Sequence, residues 1–450
     1  MGICEGPLAF NMLVYTLPVI ASGVLQLLFN AADSIVVGRY ADSTALAAVG
    51  STGSLVCLIV NLLVGLSVGA SVDIAHAWGA HDDRGIGESV HTSLLTAFIG
   101  GIAVGIFGFF ASRGCLELMS TPADIIDQAT LYMKIYFLGL PAMMVYDFSS
   151  SILRSTGDTK HPLIFLLAGG VINVVLNLVS VIVFGMGVAG VAIATVVSQI
   201  VSAVLSIIHL MKVDGPHRFS FSKLKISKNR LKKLLVVGIP AGLQGTVFSI
   251  SNVVIQSSIN SFDSVCVTGS SAGNNIEGFI YIAMNAFYHT ALTFVGQHVG
   301  AGKTKRLKKV VSLSLAYVTA TGVILGLLAF VFKIPLLEIY IPNDPAAVIH
   351  GVRRMTVICT TYFLCGLMDT MTGCLRGLGS SVTPAVITMV GACGIRILWI
   401  MTVFQVWHTE TVLYVSYPVS WFLTFAAELV AYFIVKKKLF KKLSAMPDHR

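Results

Sequence analysis

The chain has 450 residues, of which 55% are hydrophobic and 11% charged, and it carries a formal net charge of +9. Soluble globular chains carry about 25% charged residues, so this composition excludes a soluble enzyme or a soluble nucleic-acid-binding domain. Apolar runs long enough to cross a hydrocarbon core of about 30 Å as helices recur from end to end, which makes the chain an all-α polytopic membrane protein.

The first residues, MGICEGPLAF, hold no Lys or Arg, and the apolar stretch behind them runs past Pro18. This pattern predicts a retained first span and not a cleaved signal peptide. Breaks rich in charge, Gly and Pro delimit six spans near residues 8–37, 44–77, 87–112, 123–153, 161–184 and 187–211. Six more lie near 233–262, 266–299, 309–333, 345–375, 382–406 and 409–435. The chain thus divides into an N-terminal six-helix lobe (1–211), a basic linker (212–232), a C-terminal six-helix lobe (233–435) and a basic tail (436–450). The eight cysteines form no CxxC pair and lie mostly in apolar runs, where they read as small buried hydrophobes and not as a disulfide or metal framework.

Polar side chains in hydrocarbon are costly, so they face a bundle interior or a water-filled pathway. In the first span Gln26, Asn30 and Asp33 share one helix face, and in the fifth Asn173 and Asn177 stand four apart. The seventh carries Ser249, Asn252 and Gln256. The eighth carries Asn274, Glu277, Tyr281, Asn285 and Tyr288, a stripe of roughly 21 Å at 1.5 Å per residue. Asp33 and Glu277 are the candidate cation-coupling groups, and the others are the candidate lining of a substrate cavity. Hydrogen bonding between helices is the competing use of each Asn. Arg396 reads as a structural counter-ion to a carboxylate or to carbonyls, and Lys134 as a side chain snorkelling to the interface. Asp147 and Asp369 read as caps or loop anchors.

Two stretches fix the relation between the halves. LRSTGDTKHP at 153–162 returns as LRGLGSSVTP at 375–384, an offset of 222 that also pairs Pro18 with Pro240, Asn30 with Asn252 and Asp147 with Asp369. One spacing held across a chain marks a duplication. Six spans per copy is an even number, so the copies are parallel repeats around an axis along the membrane normal. With a cytoplasmic N-terminus, 23 Lys and Arg fall in inside segments and five (Arg39, Arg113, Lys333, Arg353 and Arg354) outside, which puts both termini in the cytoplasm of a plasma-membrane protein. The basic loops then face anionic lipid, and the positive charge calls for no nucleic acid. In this frame Asp33 and Glu277 fall in the outer half of the bilayer, one from each copy, and a central cavity between the copies would attract a cation.

Enzyme motifs fail on context. GMGVAG at 185–190 matches a dinucleotide fingerprint, yet it is a short turn between spans with Ile208 and His209 where an acid belongs. GQHVGAGKT at 296–304 places five residues, not four, between its first Gly and GK. An intramembrane aspartyl protease needs two carboxylates at one site, but the GLG run at 377–379 ends in Ser380. The eleven histidines show no HxxxH or HExxH spacing, so no zinc site is expected.

The chain resembles the multidrug and toxic compound extrusion (MATE) family of secondary transporters. The matching stretches are LPVIASGVLQLLFNAADSIVVGRY, LRSTGDTKHP, GVAGVAIATVVSQ, IEGFIYIAMNAF, FVGQHVGAGK, GIRILWI and YPVSW, in order along the whole chain. The resemblance implies two six-helix lobes around a central cavity that opens alternately to each side, expelling cationic or amphipathic compounds against an inward cation gradient. It implies that Asp33 is the first-span coupling carboxylate, taking a proton or sodium. Asn177 departs from the family, where many members have aspartate, and an amide takes no proton on and off in the working range. Coupling then falls to Asp33 or Glu277. No resident cofactor or metal is implied beyond the coupling ion. The partners expected are small organic cations and membrane lipid, with the protein working as a monomer. The alternatives are a lipid-linked precursor flippase of the same superfamily, or a non-transporting scaffold or receptor. The orientation predicts that a reporter enzyme active only outside the cytoplasm stays silent when fused within 212–232 and becomes active when fused after residue 340.

Overall fold

The computed structural model describes residues 3–40, 43–342 and 344–444; the end of the basic tail lies outside them. Hydrocarbon offers no water to satisfy backbone N–H and C=O groups, so each apolar segment bonds to itself as a helix. The first six spans are α1 (Leu8–Tyr40), α2 (Ser43–Gly79), α3 (Asp83–Leu118), α4 (Ile126–Thr156), α5 (Lys160–Leu178, prolonged by one wide turn, Val179–Val183) and α6 (Gly187–Lys212). The next are α7 (Lys228–Ile259), α8 (Ser264–Gly300) and α9 (Thr304–Val331), followed by the short α10 (Lys333–Tyr340). The tenth span is a pair, α11 (Pro345–Thr361) and α12 (Phe363–Gly377), bent by 46°. The eleventh runs from α13 (Val382–Thr388) through a wide turn, Met389–Gly394, into α14 (Ile395–Met401) and α15 (Val403–Val406), and α16 (Glu410–Ser444) is the twelfth. Eleven of these spans are long and apolar enough to cross a membrane as they stand, and the bent pair makes twelve.

The predicted single span at 345–375 is therefore broken, and no proline breaks it. Thr360 Oγ1 donates to the carbonyl of Thr356 at 2.7 Å and Thr361 Oγ1 to that of Val357 at 2.7 Å. Hydroxyls that bond back onto the preceding turn draw carbonyls off axis and bend a helix.

The repeated decapeptides close equivalent turns. Gly157 and Gly379 take φ values of +98° and +88°, a region open to glycine, and Pro162 and Pro384 sit in the first turns of the helices that follow.

By contacts the chain forms two compact units whose limits differ from 1–211 and 233–435. One is Leu17–Ile239, and the other joins the residues before Leu17 to those from Pro240 onward. The division falls inside α1 and α7, beside Pro18 and Pro240, where each proline removes a backbone hydrogen bond. In the first unit the start of α7 is held by Arg230, which pairs with Asp73 at 3.1 Å and Asp82 at 3.0 Å. The linker lies on α3: the N–H of Ser220 donates to His91 Nε2 at 3.1 Å, and that of Ser227 to Thr92 Oγ1 at 3.0 Å. In the second unit the start of α1 packs on α8, with Tyr15 Oη 2.9 Å from Thr293 Oγ1 and Thr16 Oγ1 2.8 Å from Thr290 Oγ1.

Cores follow the same division. Met133, Phe137 and Phe148 are buried in the first unit, and Met284, Met355 and Trp421 in the second. Five cysteines are buried as expected, whereas Cys57 is exposed on its helix and Cys4 and Cys115 are half-buried. The Nζ of Lys134 lies 5.3 Å from the centre of the Phe109 ring.

Close approach of α3 and α4 rests on Gly101, where a Cβ would stand 2.6 Å from Pro141 Cα. At Gly114, on the same helix, nothing lies within 4 Å. Gly101→Leu is thus expected to cost about 1–3 kcal/mol by overpacking and to lower the unfolding temperature of the purified protein. Gly114→Leu serves as the control, with no such drop.

Candidate functional site

In the first unit three helices bring together residues that sequence placed on separate stripes. Asn177 Nδ2, on α5, donates to Asp33 Oδ1 on α1, and lies 3.3 Å from Asn173 Oδ1 one turn back. Asn173 Nδ2 in turn reaches Thr195 Oγ1 on α6 at 3.5 Å. The line starts at the half-buried Asp33 and ends among buried groups, with Asn173 5% and Asn177 0% exposed. Asn177 Oδ1 is buried and receives no hydrogen bond among the described residues. The helices meet closely because Gly170 leaves room for Phe29, whose ring stands where a Cβ would be. Asn30 and Gln26, one and two turns before Asp33 on α1, are exposed and 3.5 Å apart.

The second unit treats its carboxylate differently. Glu277 accepts from Arg354 Nε at 2.9 Å on one oxygen and from Nη2 at 2.7 Å on the other. Arg354 also donates to Asn274 Oδ1 at 3.0 Å and Ser270 Oγ at 3.1 Å. Both charged side chains are 4% exposed. A planar guanidinium matched to a carboxylate at two points is a strong, geometrically fixed pair. This corrects two expectations: Glu277 is not a carboxylate free to take a coupling cation, and Arg354 is not an outer-loop cation but lies inside the bent span.

Further along α8, Tyr288 Oη accepts from Arg376 Nη1 at 2.5 Å, and Arg376 Nη2 donates to Gln244 Oε1 of α7 at 2.7 Å. Asn285 Nδ2 lies 3.4 Å from Tyr281 Oη, and Asp369 stands beside both. Asp369 thus serves the interior of α12 and is no cap. The α7 stripe makes other contacts. Ser249 Oγ bonds to its own helix at Gly245, Gln256 to Asn260 at 2.9 Å, and Asn252 is exposed.

Arg396 is 1% exposed, yet among the described residues it makes no ion pair. Its Nε donates to Ser420 Oγ at 2.8 Å, and its guanidinium lies 4.5 Å from the ring centre of Tyr417 and 5.5 Å from those of Phe248 and Trp421. The expected counter-ion role is corrected: aromatic faces, not a carboxylate, hold this charge. Glu428 on α16 was not singled out by spacing. It is fully buried and accepts from Thr372 at 2.7 Å and Thr388 at 3.0 Å.

These sites belong to a recognisable chain. The MatE family model matches residues 18–179 and again 240–402. The chain belongs to the MatE family. The two MatE matches begin at Pro18 and Pro240, where the units divide. Among curated proteins it is 27% identical over 396 residues to the probable multidrug resistance protein YoeA of Bacillus subtilis, covering 86% of this chain and 85% of that one. It is 25% identical to an FAD transporter of Shewanella oneidensis, covering 76% of each. Of solved structures, an outward-facing multidrug resistance MATE transporter matches with TM-score 0.90 at 19% identity, covering 98% of both chains. A transporter of the same superfamily from Pyrococcus furiosus, whose binding pocket has reverse polarity, matches with TM-score 0.85 at 20% identity, covering 98% of this chain and 97% of that one. The fold is that of a twelve-span, multi-pass membrane transporter.

The residues missed by spacing had a signal in this MatE chain. Arg354, Arg376 and Glu428 are charges within or at the edge of apolar runs, and Thr195 lies in GVAGVAIATVVSQ. Removing one member of a buried ion pair costs about 3–5 kcal/mol, because the other charge stays behind. Glu277→Gln should therefore lower the unfolding temperature markedly, and Glu277→Leu with Arg354→Met should recover most of the loss.

Proposed function

We propose that the protein is a cation-coupled antiporter that exports cationic or amphipathic organic compounds by alternating access, with Asp33 as the coupling group. One observation carries the reading. Asp33 is half-buried in a membrane span and its bonded partner is a neutral amide, whereas Glu277 is matched to an arginine. A carboxylate held by an amide can be neutralised and recharged without breaking an ion pair. The names of several relatives as multidrug resistance or export proteins support the substrate class.

The oxygens present suit either ion. A proton would be taken by the carboxylate itself, and sodium would find, beside it, the donor-free Asn177 Oδ1. One charge moving through about 100 mV supplies about 2.3 kcal/mol, equivalent to roughly a fifty-fold concentration ratio. Neutralising Asp33 weakens its hold on a cationic substrate and biases which way the transporter faces. The protein is then a plasma-membrane exporter with both termini in the cytoplasm.

A second reading has its own observation. Arg376 and Arg396 are buried in the second unit, and neither makes an ion pair among the described residues. Cations of that kind favour an anionic amphiphile, such as a lipid-linked precursor or the flavin nucleotide named for one relative.

Proteoliposomes with sodium and pH gradients imposed separately test both. Asp33→Asn should reduce gradient-driven efflux of a fluorescent organic cation at least a hundredfold while expression is unchanged. Undiminished efflux in that variant sinks the coupling role. Flux of FAD or a labelled anionic lipid, with none of the organic cation, selects the second reading.

A further inference from the structure

The turn that closes between α4 and α5 carries more chemistry than a turn needs. Asp158 Oδ1 accepts from the backbone N–H groups of Lys160 and His161, each at 3.2 Å. Its other oxygen, Oδ2, lies 2.6 Å from His161 Nδ1 and 3.7 Å from His209 Nε2, in the last turn of α6. The two imidazoles stack with centres 4.0 Å apart, and the three atoms all lie within 4.8 Å of one another. His209 Nε2 is buried, and among the described residues no group lies within hydrogen-bond distance of it.

The second copy supplies an internal control. At the same offset of 222 it has Ser380, Thr383 and Ala431 in place of Asp158, His161 and His209. There the turn closes with the same positive φ at its glycine, and Ser380 Oγ simply donates to Thr383 Oγ1 at 3.0 Å. Neither a carboxylate nor an imidazole is needed to build this corner. The first copy alone has placed three such groups on it.

We propose that Asp158, His161 and His209 form a binding site for a divalent transition metal of the zinc class. Two imidazole nitrogens and one carboxylate oxygen are the donor set such ions take, with water completing the shell. Zinc bonds of about 2.0–2.2 Å place tetrahedral ligand atoms about 3.4 Å apart, and the 2.6 and 3.7 Å separations bracket that value. The backbone N–H groups that hold Oδ1 leave Oδ2 turned toward the imidazoles, which presets the carboxylate. His209 sits at the carbonyl end of α6, where the helix dipole favours a cation. The side chain of His161 is 44% exposed, so water has access to the remaining coordination position. On binding, neutral His161 keeps its proton on Nε2 and His209 keeps its proton on Nδ1, so each offers the other nitrogen. The metal would tie the start of α5 to the end of α6. No spacing rule finds the site, because His161 and His209 are 48 positions apart and meet only through folding.

The test uses the full chain in detergent, stripped with a chelator and titrated with zinc chloride by calorimetry. Cobalt, titrated in parallel, is read by its visible spectrum. One equivalent should bind, with cobalt giving the strong absorption of a low-coordinate site, and the unfolding temperature should rise with zinc. Asp158→Ser with His161→Thr installs the second copy's residues and should leave the metal-free unfolding temperature unchanged while weakening zinc binding at least tenfold. His209→Gln, which keeps the side chain's bulk, should do the same. Wild-type protein that takes up no zinc, or that binds it no more tightly than both variants, overturns the proposal. Neither result bears on transport, so the site and the antiport reading stand or fall separately.

Discussion

A charge inside hydrocarbon must be matched on the spot, and three of this protein's charges are matched in three different ways. Arg354 takes a carboxylate at two points, Arg396 takes aromatic faces, and Asp33 takes an amide. The choice decides what each group can do. A forked ion pair is fixed because separating it leaves two unmatched charges in a medium that cannot solvate them. A guanidinium over rings keeps its charge permanently. An amide partner asks least of the carboxylate it bonds, since it tolerates both the charged and the neutral form.

The architecture rests on the same constraint applied to the backbone. Helices satisfy themselves, so what remains is to bring them close, and glycines such as Gly101 do so by removing a side chain where backbones meet. Where a hydroxyl interferes with the ladder, as at Thr360 and Thr361, the helix bends and sets Arg354 and Asp369 on separate segments of one span.

Much of this was legible in the chain itself. The number of spans and the polar faces that carry Asp33, Asn173 and Asn177 follow from period and spacing, while the meeting of those faces does not. Three things were not legible. Arg354 was counted with a loop because a hydropathy boundary cannot tell a helix end from a loop start. The partner of Glu277 is 77 residues away, and that of Arg396 is a set of rings and not a charge. Spacing along one helix reveals which face is polar; it carries no information about what another helix presents to that face. The division of the contacts beside Pro18 and Pro240 has no mark of its own either, since a proline inside a helix marks a bend and not an exchange of partners.

That exchange ties the two copies together. Tyr15 and Thr16 stand more than 270 residues before the hydroxyls they meet, Thr293 and Thr290. The first unit in turn draws on Arg230, at the head of the second copy, to pair Asp73. Neither copy contains the whole of its own unit. Cutting the chain between the copies would therefore part Tyr15 and Thr16 from Thr293 and Thr290, and Asp73 from Arg230, so the duplication joined two halves that each hold a piece of the other's bundle.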